Sequence, residues 1–375
     1  DELGAAVALS ADASLLAVGA PGQDGSDGQR LETGAVHLFS LGGATYLNAS
    51  LVGSLGQGFS GGNDLDLALE AGDLFGSALA MNAGGDRLVV GAPGDDGAGN
   101  AAPDSGAAWL IRFNGGNFTG PSLVGRIGKG YAGAGDFGVD LGNGDAFGSA
   151  LALTADARQL AVGAPLDDGA SPGRNDTGAA WLIDFTDSAY AGASLAGRIG
   201  YGYSGGNDLN LELDGDDRFA SGLALSADGR LLAIGAPRGS GENNAWDDSG
   251  EVHLIRFGGA GFSLPERVGR IGRGYTGAGD IDFNLDTGDL FGSGLALNAA
   301  GSRLVVGAPG DNGYGNAKWD TGALHVFDFS AADFAGGGLL GSLGYGYLDG
   351  GGVSAKLSDG DTLGYAVALD AAGDT

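Results

Sequence analysis

The sequence has no cysteine, one methionine, three histidines and nine prolines in 375 residues. Without cysteine the chain forms neither a disulfide nor a thiolate metal site, a composition that suits an exported bacterial protein. Lys and Arg total 18 against 47 Asp and Glu, a formal net charge of −29. Phosphate recognition needs clustered cations, so nucleic acid is excluded as a partner, and an anionic membrane surface with it. No apolar run approaches the ~18 residues that span a bilayer. No segment sustains a 3.6-residue apolar period between caps, which argues against helices. Active-site motifs are missing too: there is no G-x-S-x-G and no phosphate-cradling G-x-x-x-x-G-K-[ST].

Glycine is abundant, at 80 residues. It lacks the three-residue period of collagen and falls between short apolar runs, so it reads as turn residue. The apolar runs recur. "LFGSALAMNAGGDRLVVGAPGDDG" at 74–97 returns as "AFGSALALTADARQLAVGAPLDDG" from Ala146 and "LFGSGLALNAAGSRLVVGAPGDNG" from Leu290. The proline of the G-A-P word is Pro21, Pro93, Pro165, Pro237 and Pro309, at one constant interval. The F-G position, Leu3, Phe75, Phe147, Phe219, Phe291 and Leu363, keeps the same period, with neither insertion nor deletion. Surface loops tolerate insertions, so either the copies are young or every loop packs against its neighbour. The repeats span 3–74, 75–146, 147–218, 219–290 and 291–362, and 363–375 opens a sixth.

Each copy reads as short strands. In the second these are "FGSALAMN" (75–82), "RLVVGA" (87–92), "GAAWLIRF" (106–113) and "SLVGRIG" (122–128), with an alternating piece such as "DLDLAL" (64–69) before the next F-G. "RLVVGA" is apolar throughout and predicts a strand buried on both faces. The fold expected is all-β: tandem 72-residue units, each a small antiparallel sheet of about four strands. Such a sheet cannot bury both faces alone, so copies must stack. The glycine of G-A-P is expected to permit a tight turn, and its proline to end the strand.

"FGSALAMNAGGDRLVVGAPGDDG…SGAAWLIRF" resembles the FG-GAP repeat, the blade unit of integrin α-type β-propellers, in a form similar to bacterial secreted variants. The resemblance covers rather more than half of each copy and implies β-propeller blades in an extracellular or cell-surface protein. Family blades carry a calcium loop between the first two strands. "NAGGDR", "TADARQ" and "SADGRL" stand there instead, which predicts that this site is missing. Six copies of the first strand against five of the rest predict a window of a longer array, a larger ring or an open superhelical stack.

Candidate sites lie in the loops. After G-A-P come Asp95, Asp96, Asn100 and Asp104; Asp167, Asp168 and Asp176; and Asp311, Asn312 and Asp320. Calcium takes 6–8 oxygens from such groups, and the same residues also close turns without a metal. The fourth copy, "APRGSGENNAWDDSG", loses the first acidic pair. A second acidic set, Asn63, Asp64, Asp66 and Asp73, then Asp280, Asp282, Asp286 and Asp289, reads as the wet face of a strand or a weak calcium motif. All three histidines share one register with two tryptophans: His37, Trp109, Trp181, His253 and His325. A metal would not accept Trp there, so an aromatic column stacking between copies is expected. Trp246 and Trp319 sit in the post-G-A-P loops as exposed candidate binding anchors.

A catalytic site needs one unique constellation, whereas nearly every polar residue here has a counterpart at the same place in another copy. The expectation is a non-enzymatic, extracellular structural or adhesive protein that associates with itself or with neighbouring repeats. It needs no cofactor apart from the candidate calcium. A propeller module that binds a protein or glycan is the alternative, and the non-catalytic part of a propeller enzyme a third.

Overall fold

The structure, a computed structural model, describes residues 1–42, 48–170, 174–330, 333–348 and 351–373. Residues 374–375 of the expected sixth copy lie outside them. The fold is all-β: the described residues form five small sheets of five strands each, which are β-propeller blades. One three-residue 3-10 turn, Glu242–Asn244, is the only helix among the described residues. None of those residues forms a helix long and apolar enough to cross a membrane. The chain divides into two compact units, Asp1–Asp167 with Trp181–Leu195, and Asp168–Ala180 with Ala196–Thr375.

The second repeat, in the first unit, shows the blade. Its strands are Ala78–Met81, Arg87–Ala92, Ala107–Arg112, Ser122–Lys129 and Phe137–Val139. The first four pair antiparallel in sequence order, and the fifth pairs parallel with the fourth. Leu88 to Ala92 are all buried, as a run without polar alternation requires. The expected first strand is shorter than its sequence. Phe75 and Gly76 stand outside it, and Phe75 instead bridges in parallel to Gly34 of the preceding repeat. The alternating piece contributes only Leu65–Asp66 to the first sheet, as its short fifth strand. The first, fourth and fifth repeats follow the same plan.

The glycine of G-A-P does not make a turn, contrary to expectation. Gly19 and Gly91 lie inside the second strands Leu15–Ala20 and Arg87–Ala92. Their bare Cα faces let the next repeat approach. A Cβ on Gly19 would sit 2.0 Å from the Gly76 carbonyl oxygen, and one on Gly91 would sit 2.0 Å from that of Gly148. In the second unit the same pairs recur, Gly235 on Gly292 at 2.0 Å and Gly307 on Gly364 at 1.8 Å. The F-G glycine also needs a left-handed backbone, with φ +100° at Gly76.

A second backbone link joins the turns after the first strands. Ala11 N–H donates to the Ala83 carbonyl, and Ala83 N–H to that of Ala155, each at 3.2 Å. In the second unit Ala227 donates to Ala299 and Ala299 to Ala371, each at 3.1 Å. Between these links lies a shared apolar core. Val36, Leu38 and Leu55 of the first repeat pack with Phe75, Val90 and Ile111 of the second, all fully buried. Val252, Leu254 and Ile271 meet Phe291, Val306 and Phe327 in the same way.

Gly91→Ala is expected to lose about 3 kcal/mol or more of stability by urea unfolding, since a methyl group cannot share space with a carbonyl. Gly116→Ala, with open space around its Cβ, is expected to stay within about 0.5 kcal/mol of wild type. Equal losses at both positions would refute the close-approach role.

Candidate functional site

The second, fourth and fifth repeats each have an acidic recess between the F-G turn, the post-G-A-P loop and the fourth strand. In the second repeat the recess measures about 510 Å3 and is lined by Glu70, Asp73, Asp95, Asp96, Arg126 and Tyr131. Asp73, just before F-G, is buried, and its Oδ2 accepts the Glu70 N–H at 2.8 Å. Burial first, then the charges of Asp95, Glu70 and Asp96, push its carboxyl up to about 7. The equivalent Asp217 and Asp289 are also pushed up to about 7, chiefly by burial. Asp95 is raised by burial as well, against the pull of the Tyr131 hydroxyl, which donates to it at 2.7 Å, and of the Gly97 N–H at 2.8 Å.

The expected calcium residues are placed as turn closers. Asp96 Oδ1 accepts the N–H of Asp104 at 2.8 Å. Asp168 accepts that of Asp176 at 3.0 Å, and Asn312 that of Asp320 at 2.8 Å. Asn100, Asp104, Asp176 and Asp320 all have positive φ, a conformation that Asn and Asp tolerate best after glycine. Asp167 accepts the Trp181 indole N–H at 3.3 Å, and Asp311 the Tyr347 hydroxyl at 2.8 Å. The second acidic set does similar work. Asp64, Asp66 and Asp282 accept the N–H groups of Ser54, Gly58 and Gly274. Among the described residues no three His, Asp or Glu side chains converge on a point that could hold a metal ion.

The fourth copy has not lost its buried carboxylate; it supplies it from another strand. Gly239 stands where Asp95 would be, and Glu251 stands where the other copies have Ala35, Ala107, Ala179 and Ala323. A Cβ on Gly239 would meet the Glu251 side chain at 2.7 Å. Glu251 takes the Tyr275 hydroxyl and lies 2.7 Å from His253 Nε2. Burial pushes its carboxyl up, but His253 and Tyr275 outweigh that and hold it below its ordinary value. The first copy changes the pair together: Phe59 lacks the hydroxyl, and Gln23 replaces the carboxylate and meets His37 at 2.8 Å.

The aromatic register is likewise part of a pair, and its rings do not stack flat between copies. Phe75 meets Trp109 of its own copy edge-on at 5.8 Å, Phe147 meets Trp181 at 6.1 Å, and Phe219 meets His253 at 5.1 Å. Across to the fourth strand, Trp109 and His253 pair with Arg126 and Arg270. His37 and His325 pair instead with Ser54 and Ser342, at 3.0 and 2.8 Å.

Trp246 is half-buried rather than exposed, because Arg273 lies over it at 4.7 Å and reaches the Leu285 carbonyl. In the third and fifth repeats the cation and ring exchange places. Arg174 covers Tyr201 at 4.3 Å and reaches the Leu213 carbonyl, and Lys318 covers Tyr345 at 4.5 Å and reaches that of Leu357. Residues 174, 246 and 318 share one register, as do 201, 273 and 345. Trp319 is 76% exposed. These exchanges escape reading by position, because each becomes visible only once two distant columns are seen to touch. The lone charge at Glu251 in a column of alanines was the available signal.

Glu251→Ala is expected to lower the melting temperature, and adding Gly239→Asp should recover at least half of the loss. No recovery would refute the exchange. A second expectation concerns pH. Folded Asp73, Asp217 and Asp289 hold their protons up to about pH 7, whereas unfolded aspartate loses its proton near pH 4. The folded chain therefore binds more protons across this window, and stability falls as pH rises through it. Burial keeps His37 and His325 neutral and opposes this, favouring the higher pH. With three carboxylates against two histidines, the melting temperature at pH 5 is expected to exceed that at pH 8. Changing the three aspartates to asparagine should flatten the difference, and a melt that rises with pH would contradict it.

No curated protein matches the chain. A family model does, the FG-GAP repeat, over residues 69–111. That stretch runs from the end of one blade's Gly-rich link through the F-G turn, the glycine strand and the third strand of the next. Residues 69–111 are thus similar to the FG-GAP repeat, and the chain is built of β-propeller blades whose sequence recurs at 72-residue spacing.

Proposed function

We propose that this chain is a non-enzymatic, extracellular structural or adhesive protein of a bacterium, part of a fibre, stalk or cell surface assembled by stacking equivalent blades. The observation that carries this reading is pairing. In three places where one repeat departs from the others, a second residue in the same repeat departs with it. Gly239 goes with Glu251, Phe59 with Gln23, and Trp246 with Arg273. A chain that holds an active site breaks its repeat pattern to create something unique. The fourth repeat, the most irregular in sequence, instead restores the common arrangement. Its buried carboxylates accept hydrogen bonds from tyrosine hydroxyls and backbone N–H groups, which is a structural use of charge.

Proteins outside the cell meet variable conditions and commonly gain robustness from disulfides. With no cysteine, this chain relies on backbone links between repeats and on acidic turn closure. A second reading, a module that recognises a protein or glycan, is supported by the fifth repeat alone. There Trp319 stands exposed, and the recess has no arginine in its wall.

The test is immunogold electron microscopy of the native organism with antibody to this chain. Gold on intact, unpermeabilised cells, on the surface or on filaments extending from it, is the expected result. Labelling that requires permeabilisation would overturn the proposal.

A further inference from the structure

The recess of the fifth repeat differs from its siblings in one respect. In the second, third and fourth repeats the fourth strand supplies an arginine that lies flat over the recess tyrosine. Arg126 is 4.2 Å from the Tyr131 ring, Arg198 4.4 Å from Tyr203, and Arg270 3.7 Å from Tyr275. Each guanidinium also pairs with an aspartate, Asp136 at 3.1 Å, Asp208 at 3.0 Å and Asp280 at 3.2 Å. Under this cover Tyr131, Tyr203 and Tyr275 are buried.

In the fifth repeat Ser342 occupies the arginine position. Its hydroxyl turns inward to His325, and Tyr347 is left half-exposed. The recess is correspondingly larger, about 600 Å3, against about 510 Å3 in the second repeat and about 420 Å3 in the fourth. Its lining includes Phe283, Asp289, Asp311, Tyr314 and Tyr347. Gly352 stands where Asp136 would be, so the carboxylates that remain are Asp289 and Asp311. Asp289 accepts the Asp286 N–H, and Asp311 accepts the Gly313 N–H and the Tyr347 hydroxyl. The nearby Asp286 is already paired with Arg273 at 2.9 Å and with Asn316 at 3.0 Å.

A separate observation concerns the ring packed behind Phe283 and Tyr347. The His325 side chain is 2% exposed, and its Nε2 has no hydrogen-bond partner. That nitrogen lies 3.9 Å from Asp311 Oδ2, and the ring abuts Phe283 and Tyr347 edge-on. Burial holds His325 neutral, so it supplies Asp311 with no charge. The first repeat also has serine in place of arginine, at Ser54. It lacks both buried carboxylates, since Gln23 replaces one and the exposed Asp1 stands at the other.

We propose that the fifth recess binds a guanidinium group from outside the chain, an arginine side chain presented by a partner protein. The group would lie over Tyr347 as the chain's own arginines lie over Tyr131, Tyr203 and Tyr275, with Asp311, and Asp289 once the incoming cation has displaced its proton, as its counter-charge. A guanidinium is favoured over an ammonium because its plane stacks on an aromatic face and its fork meets carboxylates in two directions. The inference stands whether or not the array is a scaffold.

The test is ligand-observed NMR titration of the full chain with acetyl-arginine methylamide, its uncharged citrulline analogue and acetyl-lysine methylamide. Arginine is expected to bind at least about tenfold more tightly than citrulline, the worth of one charge-assisted, ring-stacked contact. Lysine should fall between them. Ser342→Arg places the sibling arginine in the recess and should abolish binding while leaving the melt unchanged or raised. Asp311→Asn, which keeps an acceptor for Tyr347, should weaken binding by about tenfold. Arg126→Ser should add a second equivalent site. Equal binding of arginine and citrulline, equal binding of arginine and lysine, or unchanged binding in Ser342→Arg would each overturn the proposal.

Discussion

Within each unit successive blades meet backbone to backbone, and this contact constrains the rest of the chain. The F-G turn carbonyl of one repeat rests on the Cα of a strand glycine in the one before, so close that a single methyl group would collide with it. Two links bracket this contact, the Gly34–Phe75 type of bridge and the Ala11–Ala83–Ala155 type of turn-to-turn hydrogen bond. Backbone groups are the same in every residue, so any repeat presents its neighbour with the same surface. The links also fix loop length. An insertion between Ala11 and Ala83 would displace a donor from its acceptor and leave both polar groups unpaired, at a cost of about 1–3 kcal/mol. The constant 72-residue spacing therefore has a packing cause, whatever the age of the copies.

With the contact between blades held by backbone groups and a shared apolar core, the polar recesses vary by exchange. A carboxylate moves from Asp95 to Glu251, and a cation trades places with a ring between Arg174–Tyr201 and Trp246–Arg273. The glycine content and the charge of −29 belong to the same design. Gly-rich loops leave many N–H groups without ladder partners, and a buried or half-buried donor must be satisfied. Asp64, Asp73, Asp96 and Asp282 take that role through their carboxylate oxygens. Asp73 is buried as a result and keeps its proton to unusually high pH, as do Asp217 and Asp289.

Much of the fold was legible in the sequence. The strand Arg87–Ala92 coincides with its apolar run, and the third and fourth strands lie within a residue of the expected limits. Periodicity suffices for this, since it reports on one strand and its two faces. The role of the G-A-P glycine was not legible, because its obstacle is a carbonyl that arrives from the next repeat, far along the chain. The same holds for Trp246, whose loop position suggested exposure while its covering residue, Arg273, lies on a different loop. The calcium reading rested on residue type alone. Asp and Asn serve both as cation ligands and as turn closers, and the positive φ at Asn100, Asp104 and Asp176 shows the turns that these residues make.

Interchangeability follows from a backbone contact that recurs at successive boundaries and is most directly tested by transplantation. Residues 75–146 would be replaced by residues 291–362, which moves a whole repeat with its internal pairs intact, and urea unfolding of the product compared with wild type. Recurring stacking predicts one cooperative transition within about 2 kcal/mol of wild type, since the backbone contacts recur and the shared core keeps Phe75 as Phe291 and Val90 as Val306. A chimaera that fails to fold, or one in which the transplanted repeat unfolds separately from its neighbours, would contradict it.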